Sequence, residues 1–339
     1  MNLLKYMIRR LIYTIPVILG VFSITFFLSR IMPGNPFLQQ DIWIKGDPEH
    51  VRRQLEYYGL DQPLFTQFLR YMERMFEGDW GESMVIALGL PVWELIRIKF
   101  PVTLELCIYA LLLSSFIGVR TGVYSATHKN RAGDSIVRTL SIFGAAIPVF
   151  ALGIIMQYFF SVKISLFPTS GIKSPGIASP LTITSFRLID CLITGEFRLF
   201  IDSAWHLLLP LFCLTFIQVA ALTRMTRSSM LEVIESDYVR SARAKGCKEK
   251  DVTRKHALKN AIIPTITVIG TRFATIFTST LFLEITFSIK GIGVLFVESI
   301  FLRDYFVING IVFVITILFT ITMILIDLIY AIIDPRIRY

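Results

Sequence analysis

Apolar and polar positions fall in long alternating blocks along this chain. Runs with few or no charges cover 11–31, 102–122, 139–162, 204–223, 262–286 and 306–330, and segments of mixed polarity separate them. A helix needs roughly 20 apolar residues to cross a hydrocarbon core of about 30 Å, and each run is near or above that length. The pattern predicts an all-α integral membrane protein with six transmembrane helices over those ranges. Pro33, Gly34 and Pro36 end the first run. The segment 32–101 that follows carries the turn signals Asp47-Pro48, Gly59-Leu60-Asp61 and Gly78-Asp79-Trp80-Gly81, which suit short amphipathic helices outside the membrane. A second polar segment, 163–203, contains Pro168, Pro175 and Pro180. Pro148 lies inside the third run, where a proline is tolerated and kinks the helix. Lys5, Arg9 and Arg10 precede the first run as in a signal peptide, but no small-residue cleavage site follows, so an uncleaved first helix is expected.

Composition supports the membrane reading and orients it. Only 17% of the 339 residues are charged and 54% are apolar, with a mean hydropathy of +0.64; soluble domains carry about 25% charged residues. The net charge of +9 does not point to nucleic acid, because the basic residues cluster between the apolar runs, where they set topology. Segment 224–260 alone holds Arg224, Arg227, Arg240, Arg243, Lys245, Lys248, Lys250, Arg254, Lys255 and Lys259, while acidic residues outnumber basic ones in 32–101. Cytoplasmic placement of 1–10, 123–138, 224–260 and 331–339 follows, so both termini are expected in the cytoplasm and 32–101 and 163–203 outside it. Cys107, Cys191, Cys213 and Cys247 form no CxxC pair, and His206 and His256 have no ligand spacing around them, so no metal site is assigned.

The basic segment carries the functional signal. Leu231, Ile234, Tyr238 and Ala242 recur at helical spacing and predict one apolar face. Ser236 or Asp237 can cap the start of a helix that Gly246 can end in the left-handed conformation. A second short helix is expected over 249–262, with Pro264 opening the next span. The product is a helix-glycine-helix elbow whose small residues let another protein approach the backbone; a plain solvated basic loop is the alternative.

On these residues the chain resembles the permeases of ABC importers. Ala242, Gly246 and Ile263-Pro264 are similar to the EAA loop of that family. The strings MTRSSMLEV (225–233), DYVRSARAKG (237–246) and HALKNAIIP (256–264) resemble its dipeptide/oligopeptide/nickel branch, and the first, B-type subunit of dipeptide importers in particular. RRLIYTIPVILGV (9–21), MPGNP (32–36), LGLPVWELI (88–96) and DPRIRY (334–339) extend the likeness over the whole chain. Arg240 stands where the generic motif has Glu, and Ile263 where it has Leu. The resemblance implies a type I ABC importer permease fold and a subunit without catalytic residues or a bound cofactor, ATP and Mg belonging to partner subunits. It implies a heterodimer with a second, related permease, two ATPase subunits and an extracytoplasmic peptide-binding protein, in the inner membrane lipid. It also implies that Asp237, Tyr238, Arg240, Ser241, Ala242, Arg243, Ala244, Lys245, Gly246, His256, Asn260 and Pro264 couple to the ATPase. The cargo would be dipeptides or short peptides, with oligopeptides, nickel chelates or haem as alternatives. The chain has no Gly-Lys pair, hence no G-x-x-x-x-G-K-[ST] phosphate loop.

Ionisable residues in the runs are the remaining candidates. Arg272 either lines the path or pairs within the bundle, or it snorkels to the inner interface. Glu105 and Glu284 either meet a substrate ammonium or the binding protein, or pair structurally; Asp327 reads as a helix-end or pairing group. An ion-coupled secondary transporter often shows ten or more helices, internal repeats and mid-membrane charges; six spans, no evident repeat and few midplane charges argue against it. A membrane enzyme would need a catalytic cluster; H-E-x-x-H and G-x-S-x-G are both absent from the sequence.

Overall fold

The structure is a computed structural model that describes residues 3–31, 56, 57, 59 and 61–333, and eleven helices carry most of the described residues. They are α1 (Leu3–Ile31), α2 (Leu64–Glu77), α3 (Val92–Thr127), α4 (Ala132–Ala146), α5 (Val149–Lys163), α6 (Arg187–Ile193), α7 (Phe197–Ile234), α8 (Asp237–Ala244), α9 (Glu249–Thr286), α10 (Ile292–Leu302) and α11 (Tyr305–Ile333). Five of them, α1, α3, α7, α9 and α11, are long and apolar enough to cross a membrane alone, and α4 with α5 forms a sixth, broken span. The Pro33–Pro36 break, the Asp47-Pro48 turn, the tail from 334 and the Asp327 side chain lie outside the described residues.

Two prolines depart from the sequence expectation in opposite directions. Pro148 breaks the third run: Ile147 before it is extended, as a residue preceding proline prefers, and α4 and α5 meet at 105°. Pro264 instead lies inside α9, so the expected separate helix over 249–262 and the span beyond it are one helix. Around Pro264, Ala261 and Thr265 are buried, and the Thr265 and Thr226 hydroxyls share a 3.2 Å hydrogen bond. A π-helical turn over Val252–Ala257 is built into the start of the same helix. The second and fourth spans also run longer than 102–122 and 204–223, because charged turns such as Glu94–Arg97, paired at 2.6 Å, extend them beyond the apolar core.

The chain divides into two units, one of 1–100 and 291–324, the other of 101–290 and 325–338. In the first, Phe22, Phe26, Phe27, Phe68, Tyr71 and Phe306 form an aromatic cluster. The Arg30 guanidinium lies over the rings of Phe26 and Tyr305, at 5.0 and 4.8 Å. Asp304, fully buried before α11, accepts hydrogen bonds from the Ser83 hydroxyl at 2.6 Å and from the backbone N–H of Met84 and Val85 at 3.1 Å, which pins the loop ahead of α3. Gly310 admits Val92 to the same unit's packing.

In the second unit α7 is central, packed by α3, α4 and α9. Gly118 and Gly122 of α3 form a GxxxG pair that lets the helix backbones nearly touch. A Cβ at Gly122 would fall 2.5 Å from Thr226 Cβ and 2.9 Å from the Thr223 carbonyl oxygen. Gly122→Ala is therefore expected to cost about 1–3 kcal/mol by overpacking, seen as a lower melting temperature of the detergent-solubilised protein; an unchanged melting temperature would refute the close approach. Gly270 is similarly close to Ile326.

Candidate coupling elbow

The elbow begins where α7 stops. Ser236 is extended, at φ −71° and ψ 152°, so α7 and α8 are separate helices and the spacing 231–234–238–242 does not continue through them. Its hydroxyl donates to the Val233 carbonyl at 2.6 Å instead of capping α8, and Asp237 forms no cap either. The inward residues of α8 are consequently Val239 and Ala242, while Tyr238, expected on the apolar face, is 44% exposed. Val239 and Ala242 join Ala126, Met230, Val252, Ala257 and Ala261 in one hydrophobic cluster. The short helix is thus seated on the ends of α3 and α7 and on the start of α9.

Gly246 ends α8 as the sequence suggests. Its φ is +76°. The Gly246 N–H donates to the Arg243 carbonyl at 2.9 Å and the Cys247 N–H to the Ala242 carbonyl at 3.3 Å, the two bonds of a Schellman turn. Arg243 crosses the turn to Glu249 with two hydrogen bonds, at 2.8 and 3.2 Å, and Asn260 donates to the Tyr238 hydroxyl at 2.9 Å. Glu249 in turn holds the Arg243 guanidinium above its ordinary pKa. Arg240, Ser241, Ala244, Lys245 and Gly246 are all exposed, as is His256 on the π turn, and Pro264 is half-buried. A side chain added at Gly246 would meet nothing within 4 Å. The geometry gives a stiff knob with a small-residue, cationic tip.

Behind the knob lies a clamp that sequence reasoning missed. Asp134, fully buried at the start of α4, receives Arg227 Nε at 2.8 Å and Nη2 at 3.0 Å, the Asn130 N–H at 3.0 Å, and the Ser125 hydroxyl. By sequence Arg227 reads only as one more topology-setting cation, because its acid is 93 positions away. The Gly118–Gly122 pair was missed as well, although its four-residue spacing is plain in the sequence.

The acidic candidates turn inward. Glu105 accepts the backbone N–H groups of Arg187 and Leu188 at 3.0 and 2.8 Å and the Tyr109 hydroxyl at 3.0 Å, so it caps α6. Glu284 is fully buried and accepts the Thr103 hydroxyl. Asp190 of α6 is buried too, yet hydrogen bonds from Thr184 and Ser185 outweigh that burial and hold its carboxyl below the usual range. Arg272 is half-buried and forms no ion pair among the described residues.

Residues 118–339 match the family described as binding-protein-dependent transport system inner membrane component. The chain belongs to that family. Residues 3–107 of the permease match its N-terminal membrane component as well. The permease is 38% identical over 338 residues to the di/tripeptide transport system permease protein of Pseudomonas aeruginosa, covering 99% of both chains. It is 36% identical over 341 residues to the dipeptide transport system permease protein of Escherichia coli, 99% of both. With the oligopeptide transport system permease protein of Bacillus subtilis it shares 37% over 336 residues, 98% of this chain and 99% of that one. The permease is a multi-pass inner-membrane subunit of an ABC importer, and its bundle is the all-α type I permease fold.

Proposed function

We propose that this permease moves dipeptides or short peptides into the cytoplasm as the B-type half of a heterodimer, driven by two separate ATPase subunits. Cargo follows from the relatives, whose names give di/tripeptide, dipeptide and oligopeptide transport. The observation that carries the mechanism is the elbow: an exposed tip of small and basic residues whose inward face packs against three spanning helices. A push on α8 is transmitted through Val239 and Ala242 to the ends of α3, α7 and α9 together. Closure of the ATPases would bias the bundle toward the outward-open state, and release would return it, as in any two-state element biased at a remote site. The elbow and both termini lie in the cytoplasm, and an extracytoplasmic binding protein delivers the peptide from the other side. The permease itself holds no nucleotide or other cofactor; ATP and Mg stay with the ATPases.

Purification from the native membrane tests the assembly. It is expected to bring down a second permease and two ATPase subunits, and vesicles holding that complex and the binding protein should take up dipeptide only with ATP. Uptake driven by a proton or sodium gradient without ATP would overturn the proposal in favour of a secondary transporter.

A further inference from the structure

The outward face of α9 differs in kind from the other exposed faces of the spans. On α3 in the same unit the exposed side chains from 112 to 117 are Leu112, Leu113, Phe116 and Ile117, as suits lipid, and Arg120, Tyr124 and Thr127 follow toward its end. On α9, Thr267, Thr271, Thr275 and Thr278 recur at helical spacing; the last three are exposed and the first half-buried. Their hydroxyls donate to the helix's own carbonyls, at 3.3, 3.0, 2.8 and 3.2 Å. No donor is left wanting, so the face needs no tight partner; it presents hydroxyl oxygens as weak acceptors. Arg272 flanks this face as a cation without an ion pair among the described residues. Behind it stands Gln218 of α7, buried, with its Nε2 directed to the Thr275 hydroxyl at 3.4 Å and its Oε1 without any hydrogen-bond partner. A buried amide oxygen with no donor is costly unless water or a ligand reaches it.

We infer that this threonine face of α9 is a wetted wall of the translocation path, and that Arg272 is its specificity group, receiving the C-terminal carboxylate of the peptide. The inference rests on the peptide cargo proposed above. Peptides of different sequence share a backbone, an ammonium and a carboxylate, so a path that accepts many of them can recognise only those. Weak hydroxyl acceptors let a cargo slide, as conduction requires sites that bind loosely. A guanidinium pairs with a carboxylate whatever the side chains are.

The test uses the complete importer in vesicles. Thr271→Cys and Thr275→Cys, each with Cys247→Ser to remove the exposed native thiol, are expected to react with a membrane-impermeant sulfonate thiol reagent, and Leu113→Cys is not. ATP-driven uptake of a dipeptide is compared with that of its C-terminal amide. The wild type should prefer the free carboxylate; Arg272→Gln should lose that preference by on the order of tenfold, and Arg272→Lys should keep most of it. Thiols at 271 and 275 as inert as the one at 113 would mean lipid or the second permease covers this face, and would overturn the wall. Reactive thiols with an unchanged preference in Arg272→Gln would overturn the role of Arg272 while leaving peptide import standing. A wild-type importer that uses ATP to move only a non-peptide cargo would instead overturn the cargo itself, and the carboxylate contact with it.

Discussion

Replacing Gly246 by aspartate is expected to abolish uptake while the permease still inserts and folds. The position needs φ +76°, which most L-residues occupy at a cost of about 1–2 kcal/mol, whereas Asn and Asp tolerate it better. A new Cβ there meets nothing within 4 Å, so the elbow itself is not crowded. The added atoms project from the tip, between Lys245 and Lys248, where the proposed ATPase groove must close on the backbone. Loss of a central interface contact costs roughly 2 kcal/mol or more, about thirtyfold in binding. Gly246→Asn serves as the uncharged control: if bulk alone blocks docking, both variants fail, and if charge matters more, asparagine retains part of the uptake. Membrane abundance by immunoblot and ATP-driven dipeptide uptake are the two readouts. Wild-type uptake in Gly246→Asp would remove the elbow from the coupling mechanism.

How much of this was visible beforehand depended on the range of the interaction. Spans were legible because lipid demands long runs free of charge, and the elbow because its small residues and glycine sit close together. Four features hid for separate reasons. Residues 292–302 form the eleven-residue helix α10, too short to register as a span. The helical period places Tyr238 inward only if it runs across Ser236, where the chain turns extended. Pro148 and Pro264 carry the same local signal, yet one breaks its helix and the other lies inside one, and no local rule separates them. Glu105 and Glu284 read as candidate path charges because membrane carboxylates usually are functional; their partners, Arg187, Leu188 and Thr103, lie on other elements.

Asp134 makes the strongest case for a contact that only the fold reveals. Its carboxylate is fully buried and takes the Arg227 guanidinium on both oxygens. Ser125 and Arg227, which hold it, lie beside Ala126 and one turn before Met230, two residues of the seat on which α8 rests. The clamp therefore fixes the α3–α4 turn to α7 directly behind the elbow. Asp134→Ala would leave the half-buried Arg227 guanidinium without its acid; breaking a fully buried pair typically costs about 3–5 kcal/mol, and the partial exposure of Arg227 places this loss toward or below the low end of that range. That predicts a sharp fall in melting temperature and yield, together with ATP hydrolysis no longer tied to uptake in whatever importer assembles. The pair as a whole need not stabilise, since two charges must first leave water, so Asp134→Leu combined with Arg227→Met is expected to regain most of the stability lost by either single change. Recovery of the melting temperature without recovery of coupling would assign the clamp to alignment of the elbow; a single Asp134→Ala variant that melts like the wild type would show that no such clamp holds α4 to α7.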